Sequence, residues 1–421
     1  MCWFYEFLFS FTTCDIRGRM KLNKAMVLTK FIPAPAFSGG AIRSRAWIRF
    51  LSKYYDIIVI GYWDKKFGNT RVEELCDYTE DIIGFDFMRT KTTLLHTGIA
   101  ALMNNQAVVL QQYYSVDMQN KINAILREQN IKMIFCEELS TMQYVKNVNE
   151  IPVVFDDHNI EYELQERAAK NSLFYLRPIM MREVYCVKKF EIFAWKKARI
   201  SYFVSNRDRN IAFLNSPDRT FGVVENTFSS KDILNKSTNE WFSKPTCVFV
   251  GNMSWKPNHH GLVHFFENIY PKVKEAMPDF ELLLLGASVP KDLREYAEQT
   301  GTKIIENIEE NVKIDILSRC WLTLVPVYFG SGTRIKILEY WAHAKTVLST
   351  TVGAEGLHNC IGTIIKDSDE DIINAIVDLL NNKKKLEEYG KMNKEVYKNY
   401  YEEETVYADP LYYSLTTQLY E

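Results

Sequence analysis

Ten residues, Gly330 to Glu339 (GSGTRIKILE), crowd two glycines, two hydroxyls, an arginine, a lysine and a glutamate between an apolar strand and a predicted helix. A glycine-rich turn that opens a helix leaves backbone N–H groups without intrahelical partners and aims them outward, where an anion can sit. Gly330, Ser331, Gly332 and Thr333 would supply those N–H groups and a hydroxyl donor. Arg334 and Lys336 strengthen the reading, because cations at a helix N-terminus oppose its dipole unless something anionic offsets them. Glu339 follows beside the face marked by Ile335, Leu338 and Ala342, and a carboxylate, with acceptor lone pairs only, can clasp two adjacent hydroxyls. The plainer alternative is an exposed Glu339 paired with Lys336 or His343 at helical spacing. The stretch reads as a phosphate site.

Other chemistry-bearing residues also close strands. His158 ends the apolar run VVFD and is flanked by Asp156, Asp157 and Asn159, leaving open which of them orients its ring. Gly39 and Gly40 follow the first predicted strand and serve either a tight turn or a close approach of ligand to backbone. Gly251 and Asn252 open the loop GNMSWKPN, in which Pro257 stands near a helix start, Asn258 reads as a cap, and Trp255 reads as packing under the helix. Gly353, Ala354 and Glu355 (GAEGL) follow a later strand. No Ser/His/Asp arrangement and no paired carboxylates of a hydrolase stand out, and no Cys/His spacing fits a metal.

These residues need a scaffold. The chain has 421 residues, 47% of them hydrophobic and 25% charged, which suits two globular domains and excludes disorder. A formal net charge of -2 argues against a dedicated nucleic-acid binder, so a bound phosphate belongs to a small molecule. Eight scattered cysteines, several inside apolar runs, fit reduced thiols in a cytoplasm. No run is apolar for long enough to span a bilayer, and Met1 to Arg19 reads as an upstream extension rather than a signal peptide.

From Lys24 onward, strand and helix patterns alternate, and a second alternating series starts at Cys247. Both imply mostly parallel sheets covered by helices. The expected layout is an extension over 1–24, a first Rossmann-like domain over 25–228, a linker over 229–244, a second domain over 245–395 and a C-terminal segment over 396–421 packing back on the first. Ligands of such sheets bind outside the strand C-termini, so the default site is a cleft with the two domains facing across it.

The stretches VFVGNMSWKPNHHGLVHFF, LTLVPVYFGSGTRIKILEYWAHAKTVLSTTVGAEGL and VVFDDHNIEYE resemble the family 4 glycosyltransferases of the GT-B fold, and within them a bacterial subgroup with G-x-M-x-W-x-P-N and G-S-G-T-R-x-K-x-L-E motifs. The likeness covers nearly all of the chain from about Met26. It implies an α/β protein that transfers a sugar, with retention and without a metal or other cofactor, from a nucleotide-sugar donor held mainly by the second domain to a glycan or lipid-linked acceptor, in cell-surface polysaccharide synthesis. Glu339 falls on the family's ribose-binding glutamate, and His158 on the histidine directed at the donor sugar and its phosphate. Arg334 and Lys336 would stabilise the departing diphosphate. Gly330 to Thr333, Gly251, Asn252 and Gly353 to Glu355 would line the donor, and Gly39 and Gly40 the acceptor or diphosphate. Asn226, in VENT, falls at the family's junction before the second domain.

The pattern breaks in two places. Ser331 stands where many members carry the first carboxylate of a Glu, seven residues, Glu motif, and the family's Arg and Lys pair after the second domain's first strand is absent. Arg334 and Lys336 are expected to replace that pair. Two rivals follow: a non-catalytic nucleotide-binding scaffold, and a sugar-nucleotide epimerase using His158 with Asp156 and Asp157. The basic, aromatic stretch Leu176 to Ile200 reads as a core helix with a solvated edge, with peripheral contact to the inner face of an anionic membrane as the alternative.

Overall fold

The computed structural model describes residues 23–34, 38–63, 72–87, 91–103 (91–96 as backbone), 105–170, 172–229, 233, 240–330, 334–357 and 360–407. They form two compact units, one ending at Glu225 and one beginning at Asn226. Residues 1–22, most of the 229–244 linker and residues 408–421 lie outside the described residues, and the end of the expected 1–24 extension, Asn23 and Lys24, already belongs to the first strand.

In the first unit, β1 (Asn23–Phe31), β2 (Tyr55–Trp63), β3 (Asp81–Asp86), β4 (Ile131–Glu137), β5 (Val153–Asp157), β6 (Ile200–Phe203) and β7 (Thr220–Val223) form one sheet in the order β3-β2-β1-β4-β5-β6-β7. Every pairing is parallel. Helices cover both faces, which is why strands such as IIVI and VVF are apolar without alternation. Leu28, Ile60, Ile134 and Phe155 build the core with Trp195 and Phe203. The helix Gly39–Leu51 is capped by Ser38, whose Oγ accepts from the Ala41 N–H at 3.2 Å, and it buries Trp47 against Phe135 and Tyr202.

The second unit repeats the design with β8 (Thr246–Asn252), β9 (Glu281–Ala287), β10 (Lys303–Glu306), β11 (Leu322–Val325), β12 (Val347–Ser349) and β13 (Thr363–Ile365) in the parallel order β10-β9-β8-β11-β12-β13. Phe249, Leu284, Leu324, Phe265 and Ile376 meet in its core. The strand expected over WLTLVPVYF stops at Val325, because Pro326 has no N–H to continue the ladder. The end of the expected linker is tied to this unit. Phe242 donates its N–H to Arg319 O at 2.9 Å and accepts from Trp321 Nε1 at 2.8 Å. Farther on, the helix Lys383–Tyr400 brings the Tyr397 hydroxyl to Phe228 O at 2.6 Å.

Strand order reverses between β1 and β4 in one unit and between β8 and β11 in the other, and the crevice at such a point is where ligands of open parallel sheets bind. Among the described residues no helix is long and apolar enough to cross a membrane. The helix Arg177–Lys197 buries Val187, Ala194 and Trp195, yet Leu173, Phe174, Tyr175, Ile179 and Tyr185 at its start are exposed. Arg182 donates to Ala101 O at 3.1 Å, which sets that start beside exposed Leu102 and Met103.

Candidate functional site

In the second unit the sequence-derived residues gather at the reversal point. Ser331, Gly332 and Thr333 lie outside the described residues. Arg334 is the N-cap of the helix Ile335–Ala342, with no side-chain hydrogen bond capping the helix. Its guanidinium is buried and lies 5.0 Å over the Trp255 ring. Gly330 has φ +123°, and a Cβ there would stand 2.7 Å from Arg334 Nη2, so conformation and space both call for glycine.

The Lys336 ammonium donates to Asn258 Oδ1 at 3.1 Å and lies 4.0 Å from the centre of the Phe249 ring. A Cβ on Gly251, at the end of β8, would come within 2.8 Å of it. Asn258 also donates through Nδ2 to Asn252 O at 2.8 Å, so it ties the strand end to the lysine instead of capping a helix. Burial first, and Arg334 second, pull the Lys336 ammonium down to about 7, with Glu339 opposing. Arg334 is lowered by burial, with Glu355 opposing. Both cations are thus held where an anion would offset their desolvation and mutual repulsion.

Glu339 departs from the helical-pair alternative. It is buried, and its Oε1 lies 2.6 Å from Lys313 Nζ on the helix Glu310–Arg319, not on Lys336 or His343. Lys313 is kept charged against its burial by Glu339 and Glu310. His343 is driven down to about 3 by burial and then by Lys313, so it is a neutral ring. Asn252 Oδ1 accepts from Ser254 N–H at 3.0 Å and Oγ–H at 2.8 Å, which fixes the turn after β8. Gly353 and Ala354 are buried behind β12 and Glu355 is exposed. Trp255 corrects the packing expectation: it is 41% exposed, with Arg334 on its face.

The first unit assembles a different set. Asp156 is fully buried, and Arg43 grips it through Nε at 2.7 Å and Nη2 at 2.6 Å while Nη1 donates to Val224 O at 2.7 Å. Burial opposes ionisation, but Arg43 and then His158 hold the Asp156 carboxyl down to about 2. His158 Nε2 lies 2.9 Å from Asp156 Oδ2, which answers which neighbour orients the ring. The approach is an ion-pair distance, and among the described residues Nε2 completes no hydrogen bond. Asp157 accepts from Trp195 Nε1 at 2.8 Å and is raised well above the carboxylate range by burial and by Glu191.

Gly39 opens the helix that follows β1, and Gly40 faces two polar atoms. A Cβ on Gly40 would stand 3.7 Å from Glu138 Oε1 and 3.8 Å from His158 Nδ1. Lys30, Arg43 and Glu138 were not singled out from the sequence. Each had a signal: Lys30 and Glu138 stand at or just beyond the ends of apolar strands (VLTKF, FCEE), and Arg43 follows the glycine pair by one turn. Lys30 Nζ lies 3.0 Å from Glu138 Oε2, and Glu138 has φ 62°, a conformation that usually selects glycine. Burial opposes its charge, but Lys30 and His158 lower its pKa.

The sequence model of the family described as glycosyl transferases group 1 matches residues 244–382, within the second unit. A protein from the cps region of Klebsiella pneumoniae, described as uncharacterized, is 23% identical over 135 residues, which span 30% of this chain and 34% of that protein. Sucrose-phosphate synthase from Thermosynechococcus elongatus superposes with a TM-score of 0.68 at 14% identity, over 94% of this chain and 100% of that one. HepE of Anabaena in complex with UDP-glucose gives 0.66 at 12% identity, over 94% and 99%. The trehalose-phosphate synthase of Burkholderia vietnamiensis gives 0.62 at 12%, over 96% and 99%. These likenesses show the GT-B fold.

Proposed function

We propose that the protein is a retaining, metal-independent glycosyltransferase that moves a sugar from a nucleotide-sugar to a glycan or lipid-linked acceptor in cell-surface polysaccharide synthesis. One observation carries this reading: the two enclosed cations Arg334 and Lys336 stand at the β8–β11 reversal point beside a buried Glu339. In the reaction the bond from the anomeric carbon to the phosphate oxygen breaks and the acceptor oxygen bonds to the same face. The acceptor proton leaves with the phosphate. Charge grows on the diphosphate, where Arg334 and Lys336 stabilise it, while Glu339 accepts from the ribose hydroxyls and His158 is directed at the donor sugar.

The match of residues 244–382 to a glycosyltransferase family supports this reading, as does the UDP-glucose in HepE. The cps-region relative supports the polysaccharide setting. The exposed Leu173, Phe174, Tyr175 and Ile179 favour contact of the first unit with the inner face of a membrane carrying a lipid-linked acceptor. Against the epimerase reading, Asp156 is engaged by Arg43, and Asp157 accepts from Trp195 and is pushed well above the usual carboxylate range by burial and Glu191.

The test is a melting-temperature panel of UDP, GDP, ADP, CMP and dTDP against the parent, Glu339→Ala and Arg334→Ala. A ligand that binds only the folded state raises the midpoint. One nucleotide should stabilise the parent and neither variant. No shift with any of the five at millimolar concentration would count against the reading.

A further inference from the structure

On the helix Ile335–Ala342, Lys336 and Glu339 stand three residues apart, a spacing at which lysine and glutamate ordinarily pair. Here they do not. The buried Glu339 Oε1 lies at an ion-pair distance of 2.6 Å from Lys313 Nζ on the helix Glu310–Arg319. Lys336 donates instead to the neutral amide oxygen of Asn258 at 3.1 Å. The two groups still act on each other, since Glu339 favours the Lys336 ammonium while burial and Arg334 oppose it. Lys313 is secured from its other side by Glu310 Oε1 at 2.8 Å, one turn back on its own helix. A buried carboxylate needs a cation, and without Lys313 the one at hand is Lys336.

We infer that Lys313 is a positioning residue that draws Glu339 away from Lys336, so that one helix offers a carboxylate to ribose hydroxyls and a separate cation to a diphosphate. A carboxylate accepts hydrogen bonds and repels phosphate oxygens, whereas an ammonium donates to them and attracts them. A Lys336–Glu339 pair would cancel both capacities, and an ion pair made across two helices keeps both. The ligand, a ribonucleoside diphosphate, comes from the sugar-transfer reading above, on which this role rests.

Lys313→Met removes the ammonium and keeps the length of the side chain. Because it leaves a buried carboxylate without that partner, two companions are needed: Lys313→Arg, which restores a cation, and Lys313→Met with Glu339→Gln, which removes the negative charge too. All are compared at a temperature where circular dichroism shows them folded.

The first arm uses no nucleotide. It follows the titration of 13C-labelled lysines, with the Lys336 signal assigned by its absence from Lys336→Met. Arg334 and Glu339 are the charged groups acting on Lys336, and Phe249 and the neutral Asn258 face it from β8 and the helix Lys256–His264. The signal should titrate at about 7 in the parent and in Lys313→Arg, and at about 9 or above in Lys313→Met. Adding Glu339→Gln should return it to about 7 or below.

The second arm takes whichever of UDP, GDP and ADP stabilises the parent, with its 2′-deoxy counterpart. The parent should prefer the ribonucleotide by about tenfold or more, the worth of a hydrogen bond to a charged group. Lys313→Met should weaken the ribonucleotide by about tenfold and bring the preference within about twofold, and Lys313→Arg should restore both. In the Lys313→Met background, Lys336→Met should cost little more, because that cation is already engaged. The role is overturned if Lys336 titrates alike in the parent and Lys313→Met, or if the losses multiply while the ribose preference stays. A titration that moves as expected in a protein that binds no nucleotide keeps the division between Lys313 and Lys336 and sinks the transfer reading.

Discussion

The two units share a topology and carry opposite charge logic at the same topological position. Where β8 and β11 diverge, the enclosed groups are cations, Arg334 and Lys336, both lowered by burial, with Arg334 lowering Lys336 further. Where β1 and β4 diverge, the cations Lys30 and Arg43 are engaged by the carboxylates Glu138 and Asp156. The fold supplies a crevice in both cases, and a few side chains decide whether its cations are already paired or open to an anion. That difference also predicts where mutations hurt. A cation already partnered by a buried carboxylate, as Arg43 is by Asp156, is needed for folding, whereas Lys336, held by the neutral amide of Asn258, is needed for binding.

The largest effect should come from Arg43. Replacing it by methionine strands the buried Asp156 carboxylate, and breaking such a pair destabilises by about 3–5 kcal/mol. Denaturant unfolding measures this, and a loss below about 1 kcal/mol would show that Asp156 finds other support. Lys336→Met should behave in the opposite way. With the ammonium already reduced to about 7, stability at pH 8 should hardly change, yet nucleotide affinity should fall about 30-fold or more because a charge-assisted contact is gone. If the same variant unfolds the protein and the refolded remainder still binds nucleotide, the contrast between the units is wrong.

Much of this contrast was legible in the sequence, and unevenly so. Two parallel wound sheets follow from apolar runs alternating with helical periodicity, and the anion-seeking character of GSGTRIKILE follows from putting two cations at a helix start. The partner of Glu339 was not legible, since Lys313 lies 26 positions upstream on another helix and only tertiary packing joins them. Trp255 was misread for a related reason: a large ring in a helix-entry loop usually packs inward, and here the Arg334 guanidinium covers it instead. Glu138 escaped because single carboxylates at strand ends are common. What distinguishes it is the pairing with Lys30 and a backbone conformation that sequence does not display.

The next effect is a proton count. An unfolded lysine titrates near 10.4, and Lys336 in the folded chain near 7, so between those values the unfolded chain binds more protons and this group's contribution to stability rises with pH. Below about 7 both states are charged and the contribution levels off. A diphosphate beside Lys336 reverses the shift by favouring the ammonium. Nucleotide binding at pH 8 should therefore take up protons, seen as a calorimetric heat that changes with the ionisation enthalpy of the buffer. Lys336→Met should abolish the uptake, and uptake unchanged in that variant would assign the proton to another group.

The smallest effect separates two roles for Trp255. If the ring only holds the Arg334 guanidinium by cation–π attraction, as the 5.0 Å approach indicates, Trp255→Leu should weaken nucleotide binding by about 0.5–1 kcal/mol. The loss should be the same for UDP, GDP and ADP, because the arginine acts on the diphosphate that they share. If the exposed ring instead stacks on the base, the loss should be larger and should differ between uracil and guanine, whose stacking areas differ. A uniform small loss keeps Trp255 within the phosphate-binding machinery of the second unit. A base-dependent loss would make it the residue that selects the nucleotide, and the phosphate-facing side of the comparison would then rest on Arg334 and Lys336 alone.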